Sequence, residues 1–427
     1  MKKWLTLFDA CSGVSTDSRN IAKNCLYIAL KGNNFNGNLF AQQAIAAGAK
    51  YAIVDEAEYA DETHIFYVEN SLVFLQQLAN AHRNRFDVPV LGITGSNGKT
   101  STKELINCAL SCQFKVLCTE GNLNNHIGVP LTLLRLNSTH EIAIIEMGAN
   151  KPFDIDELCR IARPTHGIIT NIGKAHLEGF LSFEGVLKTK SELYDHVAAN
   201  SGVVFVNSDD AVLTNALASR KVKVHSFGEQ NGEIRGELTF LNPFVHFRWS
   251  QENYSSPLLA TQMIGKYNFT NFLAAISIGL HFGVAPDTLN SALCAYVPAN
   301  KRSQVEQGIS NTLIVDCYNA NPSSMASALD SFIEMKHENK LVLLGDMLEL
   351  GADGPAEHHK IIEFLKQHQL AFHTVGPLFK AQHQNGFETT SDLVAYLNEN
   401  PPKNSLILLK GSRGIALEQT LDVLRAN

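Results

Sequence analysis

Short runs of apolar residues recur along the chain, separated by stretches in which apolar positions return every third or fourth residue. The runs predict buried strands at Leu26–Leu30, Tyr51–Asp55, Val88–Thr94, Lys115–Thr119, Glu141–Met147, Gly167–Asn171, Val203–Asn207, Leu313–Cys317, Leu341–Gly345, His373–Gly376 and Leu406–Lys410. The three-and-four spacing, as in Leu39–Ala47 and Asn271–His281, predicts helices between them. Strand, helix, strand in series predicts an α/β protein with mainly parallel sheets. Glu237–Trp249 alternates with no helix inside it and predicts an antiparallel hairpin insertion. Polar helix ends near Arg85–Val88 and Pro298–Lys301 mark two boundaries, giving domains at 1–86, 87–299 and 300–427.

Length agrees: 427 residues suit about three domains. With 45% hydrophobic and 18% charged residues, the chain has the material for true cores, which excludes a disordered or fibrous protein. A net charge of −7 argues against binding nucleic acid by bulk electrostatics, but allows a local cationic pocket. The eight cysteines form no Cys-x-x-Cys pair and read as reduced core thiols of a cytoplasmic protein rather than zinc ligands. Trp4–Phe8 is too short for the apolar core of a secretory leader, and no run of about 18 apolar residues predicts a membrane span.

The clearest chemistry lies in Val90-Leu-Gly-Ile-Thr-Gly-Ser-Asn-Gly-Lys-Thr-Ser101. A buried strand runs into a glycine turn and then a helix through Leu110. Such a turn aims backbone N–H groups at a phosphate, with the positive helix end behind them. Lys99 would neutralise the β- and γ-phosphates, and the Thr100 hydroxyl would hold Mg²⁺. Glu146 ends a strand, where parallel sheets present ligands, and could ligate Mg²⁺, with a strand-end carboxylate capping a loop as the alternative.

Thr94-Gly-Ser-Asn-Gly-Lys-Thr100 resembles the nucleotide loop of the Mur ligases, the ATP-dependent amide-forming enzymes of peptidoglycan synthesis. The resemblance implies a central P-loop ATPase-type, mostly parallel sheet, flanked by an N-terminal α/β UDP-binding domain and a C-terminal Rossmann-like α/β domain. It implies ATP and two Mg²⁺ ions as cofactors, and ATP contacts from Gly95, Ser96, Asn97, Gly98, Lys99, Thr100 and Ser101. Asn171-Ile-Gly-Lys-Ala-His176 is similar to the family's Asn-x-Gly-x-Ala-His segment, which makes His176 a catalytic and metal-binding candidate. Val186–Tyr194 resembles the helix whose lysine is carbamylated; Lys190 is the preferred position for that second metal ligand, and Lys188 competes. Asn268 and Asn271, three apart on one helix face, would pair with the adenine edge, with N-capping by Asn268 as the alternative. Arg302 matches the linker arginine that reaches the phosphates, and Asp316 an acidic residue near the ribose.

Three C-terminal motifs, Asp316–Met325, Leu344–Gly351 and Lys410–Arg413, resemble the branch of the family that adds D-alanyl-D-alanine to UDP-N-acetylmuramoyl-tripeptide. On that likeness Asn319, Asn321 and Arg413 would receive the dipeptide, Arg413 as a buried cation for its carboxylate. Glu120–Pro130 resembles the acceptor loop, pointing to Asn124 and Asn125, with His126 where the family often carries an acid. Thr16-Asp-Ser-Arg19 resembles part of the uridine site and brings in Ser18 and Arg19. A monomer is expected, without nucleic-acid partners. His176, His358 and solvent all stand as bases for the incoming amine. Rival readings are a family member with another amino donor, a nucleotide-driven switch, and a non-catalytic nucleotide-binding module.

Overall fold

The computed structural model describes residues 1–427 apart from 62, 174–176, 181, 242, 300 and 427, and without the side chains at 177 and 178. Three α/β layers follow one another along the chain, each built on a sheet whose inner strands, such as Leu26–Ile28, Val90–Thr94 and Leu406–Lys410, are buried throughout.

The central sheet holds the candidate chemistry. Its parallel strands run in the order Val116–Cys118, Ile142–Glu146, Val90–Thr94, His166–Ile169, Val203–Asn207 and Lys223–Gly228. Successive residues point to opposite faces. Leu91, Ile93, Ile142 and Ile144 meet helices Lys99–Ser111 and Tyr267–His281 through Leu105, Ile106, Phe269 and Phe272. Val90, Ala143 and Ile145 meet Leu158 and Leu193 on the other side. Gly92 lets that second layer come close. A Cβ there would stand 2.9 Å from Leu193 Cδ1 on the helix Phe183–Ala199, which also carries Lys190.

The hairpin forms, as Ile234–Leu241 paired antiparallel with Phe244–Gln251. It is no separate insertion, however. Ile234 continues in parallel from Phe227, and Leu259–Ile264 pairs with Phe244–Gln251, so these strands widen the main sheet. Ile264 ends in the apolar core of the C-terminal layer, beside Leu329 and Phe332.

The N-terminal sheet is the parallel set Val14–Ser15, Leu26–Ile28, Tyr51–Val54 and Ile65–Tyr67. Its helix Ser71–Arg83 buries Leu75 and Leu78 in the same apolar cluster as the central Leu133 and Leu158. The C-terminal sheet runs Gln304–Gln307, Thr312–Asp316, Leu406–Lys410, Lys340–Gly345 and Ala371–Val375, parallel except for its first strand. Among the described residues no helix is long and apolar enough to cross a membrane.

Candidate active site

The phosphate loop is bent at two glycines with positive φ. Gly95 has φ +146°, and a Cβ on it would lie 1.9 Å from Thr170 Oγ1; Gly98 has φ +77°. The loop is tied down by the end of the neighbouring strand. Asn171 Oδ1 accepts from Asn97 N at 3.0 Å, Asn171 Nδ2 donates to Asn97 O at 2.9 Å, and Ser96 Oγ accepts from Gly173 N at 2.9 Å.

Lys99 is the first residue of the following helix, half-buried rather than on an open loop. Its Nζ donates back to the carbonyls of Gly95 (2.7 Å) and Ser96 (3.2 Å). Burial holds its ammonium below the ordinary lysine value; nearby Glu146 opposes that shift and Arg302 adds to it. Thr100 Oγ1 donates to Glu146 Oε2 at 2.9 Å, and Asn124 Nδ2 donates to Glu146 Oε1 at 2.8 Å. Glu146 is buried. One hydroxyl and one carboxylate are thus brought together beside the loop, a donor pair suited to a hard cation.

Lys190 is buried, whereas Lys188 is exposed. The Lys190 amine lies 5.9 Å from the Phe180 ring centre. Burial, with the Lys99 charge nearby, drives it well below the usual lysine range. On the far wall, Asn268 and Asn271 sit inside the helix Tyr267–His281. Asn268 is not an N-cap: its Nδ2 donates to Ile264 O at 2.7 Å, while Asn271 donates to Asn268 Oδ1 and accepts from Thr102 Oγ1.

The C-terminal layer closes this cleft. Asn321 caps the helix Pro322–Glu334 by accepting from Ser324 N. Its Nδ2 also donates to Asn97 Oδ1 at 2.8 Å, and Asn97 Nδ2 donates to Ser323 Oγ at 2.9 Å. The phosphate loop and the C-terminal domain are therefore interlocked. A single cavity of about 690 Å³ runs between them, lined among others by Lys99, Thr100, Asn124, Glu146, Arg302 and Asn319.

The chain is similar to known proteins along nearly its whole length. The family model described as Mur ligase middle domain matches residues 93–279; the Mur ligase, glutamate ligase domain matches 301–413; and the Mur ligase family, catalytic domain matches 11–86. The UDP-N-acetylmuramoyl-tripeptide--D-alanyl-D-alanine ligase of Bacillus subtilis is 34% identical over 95% of this chain and 92% of its own length. That of Escherichia coli is 33% identical over 97% and 94%. The chain belongs to the Mur ligase family. A crystal structure of MurF from Acinetobacter baumannii aligns with a TM-score of 0.88 at 29% identity, covering 99% of this chain and 98% of that one. A MurF ligase from Thermotoga maritima in complex with ADP, 24% identical, has the same fold with a TM-score of 0.86.

Within this Mur ligase most of the expected residues do meet. Gly98, Ser101, Asn125, Asn268, Asn271, Asp316 and Asn321 line the same cavity as Lys99 and Glu146. Asp316 is already engaged, since Lys410 Nζ stands 2.6 Å from its Oδ2. The buried cation of the Lys410–Arg413 motif is therefore Lys410. Arg413 is exposed, its guanidinium carbon 5.7 Å from the centre of the Tyr318 ring. Ser18 and Arg19 do not reach the cavity; Arg19 forms a two-point ion pair with Asp17 on the surface. His176 lies outside the described residues.

The structure removes His358 as a base. Its Nε2 accepts from Met347 N at 3.0 Å and its Nδ1 lies 2.6 Å from Gly354 O, so both ring nitrogens are used in the closed interior of the C-terminal layer. Asp346 of the same motif caps another helix by accepting from Leu378 N and Phe379 N. Asp346 and Met347 of this motif thus shape the domain, while Glu349 of the same motif lines the cavity. The contacts missed at sequence level are those of Tyr318 and of the Asn97–Asn321–Ser323 interlock, which join residues too far apart for local spacing to reveal.

Proposed function

We propose that this chain is the ATP-dependent ligase that adds D-alanyl-D-alanine to UDP-N-acetylmuramoyl-tripeptide, forming ADP and phosphate in peptidoglycan precursor synthesis. One observation carries the reading. The phosphate loop and the Tyr318–Asn321 strand end of the C-terminal domain face a single cavity, so a phosphoryl donor and an amine donor can meet one carboxylate there.

The γ-phosphoryl passes to the terminal carboxylate of the tripeptide, turning an inert oxygen into a phosphate leaving group. The dipeptide amine attacks the acyl phosphate, and phosphate departs from the tetrahedral intermediate. The residues present act by position and charge. Lys99 and Arg302 offset negative charge on the phosphates. Asn268 and Asn271 face the base, Asp316 stands near the ribose, Asn124 and Asn125 hold the acceptor, and Asn319, Asn321 and Arg413 receive the dipeptide. Ser18 and Arg19 serve the uridine end. The oxygen donors Thr100 and Glu146 fit one Mg²⁺. A second would be held by His176 and by Lys190 as its carbamate, a reading favoured by the burial of Lys190 and the exposure of Lys188. Mg²⁺ supplies Lewis-acid charge stabilisation when bound. His176 and solvent remain as bases for the amine.

The same reading includes domains at 1–86, 87–299 and 300–427, a monomeric state and a cytoplasmic location. The test is product formation with a panel of UDP-muramoyl-peptides and amino donors. Phosphate release should require tripeptide and D-alanyl-D-alanine together. Release with ATP alone at the full rate, or preference for another amino donor, would overturn the reading.

A further inference from the structure

Arg302 is held in an unusual way. It sits between Lys301 and Ser303, both with φ +51°, a left-handed conformation that side chains other than glycine seldom adopt. The strain is maintained from both domains. Ser303 is buried; its Oγ lies 2.7 Å from the hydroxyl of Tyr267 in the central domain, and its N donates to Asp316 Oδ1 in the C-terminal domain at 3.3 Å. The linker is thus pinned immediately after the arginine, at Ser303, by one residue from each domain, and Arg302 lines the cleft.

What receives the guanidinium there is a ring. Its central carbon stands 3.7 Å from the centre of the Tyr318 ring, a stacking distance. The arginine Nε is buried without a hydrogen-bond partner among the described residues. A carboxylate in the place of Tyr318 would hold the cation by consuming its N–H donors and cancelling its charge. An aromatic face holds the same cation from above and leaves the donors, which lie in the guanidinium plane, free. Asp316, a carboxylate lining the same cavity, is engaged by Lys410 at 2.6 Å.

We propose that Tyr318 is a positioning residue for Arg302, a platform that fixes the guanidinium in the cleft with its donors and charge reserved for the nucleotide phosphates. This rests on the reading of Arg302 as a phosphate-binding residue. The phenol oxygen is not needed for it; the ring face is. Tyr318 is contributed by the C-terminal domain, so the linker arginine takes its working orientation only when that domain is in place.

The test compares Tyr318→Leu, Tyr318→Met, Tyr318→Phe and Arg302→Ala in the full-length enzyme, reading KM for ATP, KM for D-alanyl-D-alanine, kcat and thermal unfolding. Tyr318→Leu and Tyr318→Met should raise KM for ATP roughly three- to thirtyfold, the range expected for loss of a cation–π contact. Tyr318→Phe should restore it to within about twofold. In an Arg302→Ala background, Tyr318→Leu should add nothing further to KM for ATP. The proposal falls if Tyr318→Phe is as impaired as Tyr318→Leu, or if the effects of Tyr318→Leu and Arg302→Ala on KM for ATP multiply. Should Tyr318→Leu unfold, Tyr318→Met and Tyr318→Phe decide by the same comparison. An Arg302→Ala enzyme with unchanged KM for ATP would instead overturn the phosphate-binding reading, an outcome distinct from failure of Tyr318 alone.

Discussion

Removing the side chain of Asn97 should loosen the closed cleft without unfolding the phosphate loop. The backbone of Asn97 would remain fixed, because its carbonyl still accepts from Thr170 Oγ1 and Asn171 Nδ2 and its N–H still donates to Asn171 Oδ1. The helix cap would also survive, since Asn321 Oδ1 still accepts from Ser324 N. What Asn97→Ala deletes is the pair of bonds to Asn321 and Ser323. Two neutral hydrogen bonds at about 0.5–1.5 kcal/mol each amount to ~1–3 kcal/mol. The equilibrium between closed and open arrangements should shift by a factor of roughly 5–150 toward open. Small-angle scattering with and without a non-hydrolysable ATP analogue reads the change: the variant should have a larger radius of gyration and need more analogue to become compact. Ser323→Ala, altered on the other side of the cleft, removes one of the two bonds and should give about half the free-energy change. An Asn97→Ala protein with normal thermal unfolding, the same scattering curve and the same analogue affinity would show that the interlock does not hold the cleft shut.

Lys99→Ala should lose most ligase activity yet melt near the parent temperature, since its two bonds go to carbonyls of its own loop; near-normal turnover would remove it from the nucleotide site. Lys190→Ala should be nearly inactive, and carbon-13 bicarbonate should label the parent at Lys190; a label at Lys188 would move the site by two residues. His166 and His281, with ring nitrogens 3.1 Å apart, are pushed down to about 4 by burial first and by neighbouring histidines second. Because their folded values lie below the unfolded value of 6.5, the stability they contribute is complete above about pH 6.5 and is lost as pH falls toward 4. Both rings are partly solvated, so the slope per histidine should stay under about 1.4 kcal/mol per pH unit. His166→Phe should flatten the loss of melting temperature over that window, and an unchanged acid slope would refute the assignment.

Why some of this was readable from the chain and some was not follows from the range of the interactions. Val90–Thr94 and Ile142–Glu146 are buried on both faces, so their apolar runs mark them without help from partners. Lys223–Gly228 opens on exposed residues, and the two-residue strands carry too little pattern to register. The phosphate loop is legible because its glycines, Lys99 and Thr100 are neighbours in sequence. The interlock is not, because Asn97 lies 224 residues from Asn321 and 226 from Ser323. His358 and Arg413 were credible as reactive and buried groups because residue type says nothing of burial. In the fold the histidine is sealed inside by two backbone partners, and the arginine stands in solvent while Lys410 takes the interior.

Ile264 is an apolar joint between the central and C-terminal domains. It ends the last strand of the central sheet yet is packed among Leu329, Phe332 and Met325 of the C-terminal domain, with Phe244 beside it. Pulling the two domains straight apart would expose an isoleucine at a cost of about 1.5–3 kcal/mol. Rotating one domain about that buried contact would cost far less. Such a tilt would have to break the Asn97–Asn321 and Asn97–Ser323 bonds while leaving the apolar contact buried. If nucleotide release requires the cleft to open, a tilt would let it do so with this joint kept dry, and a polar substitution at Ile264 should then change the rate of ADP release and the melting temperature together.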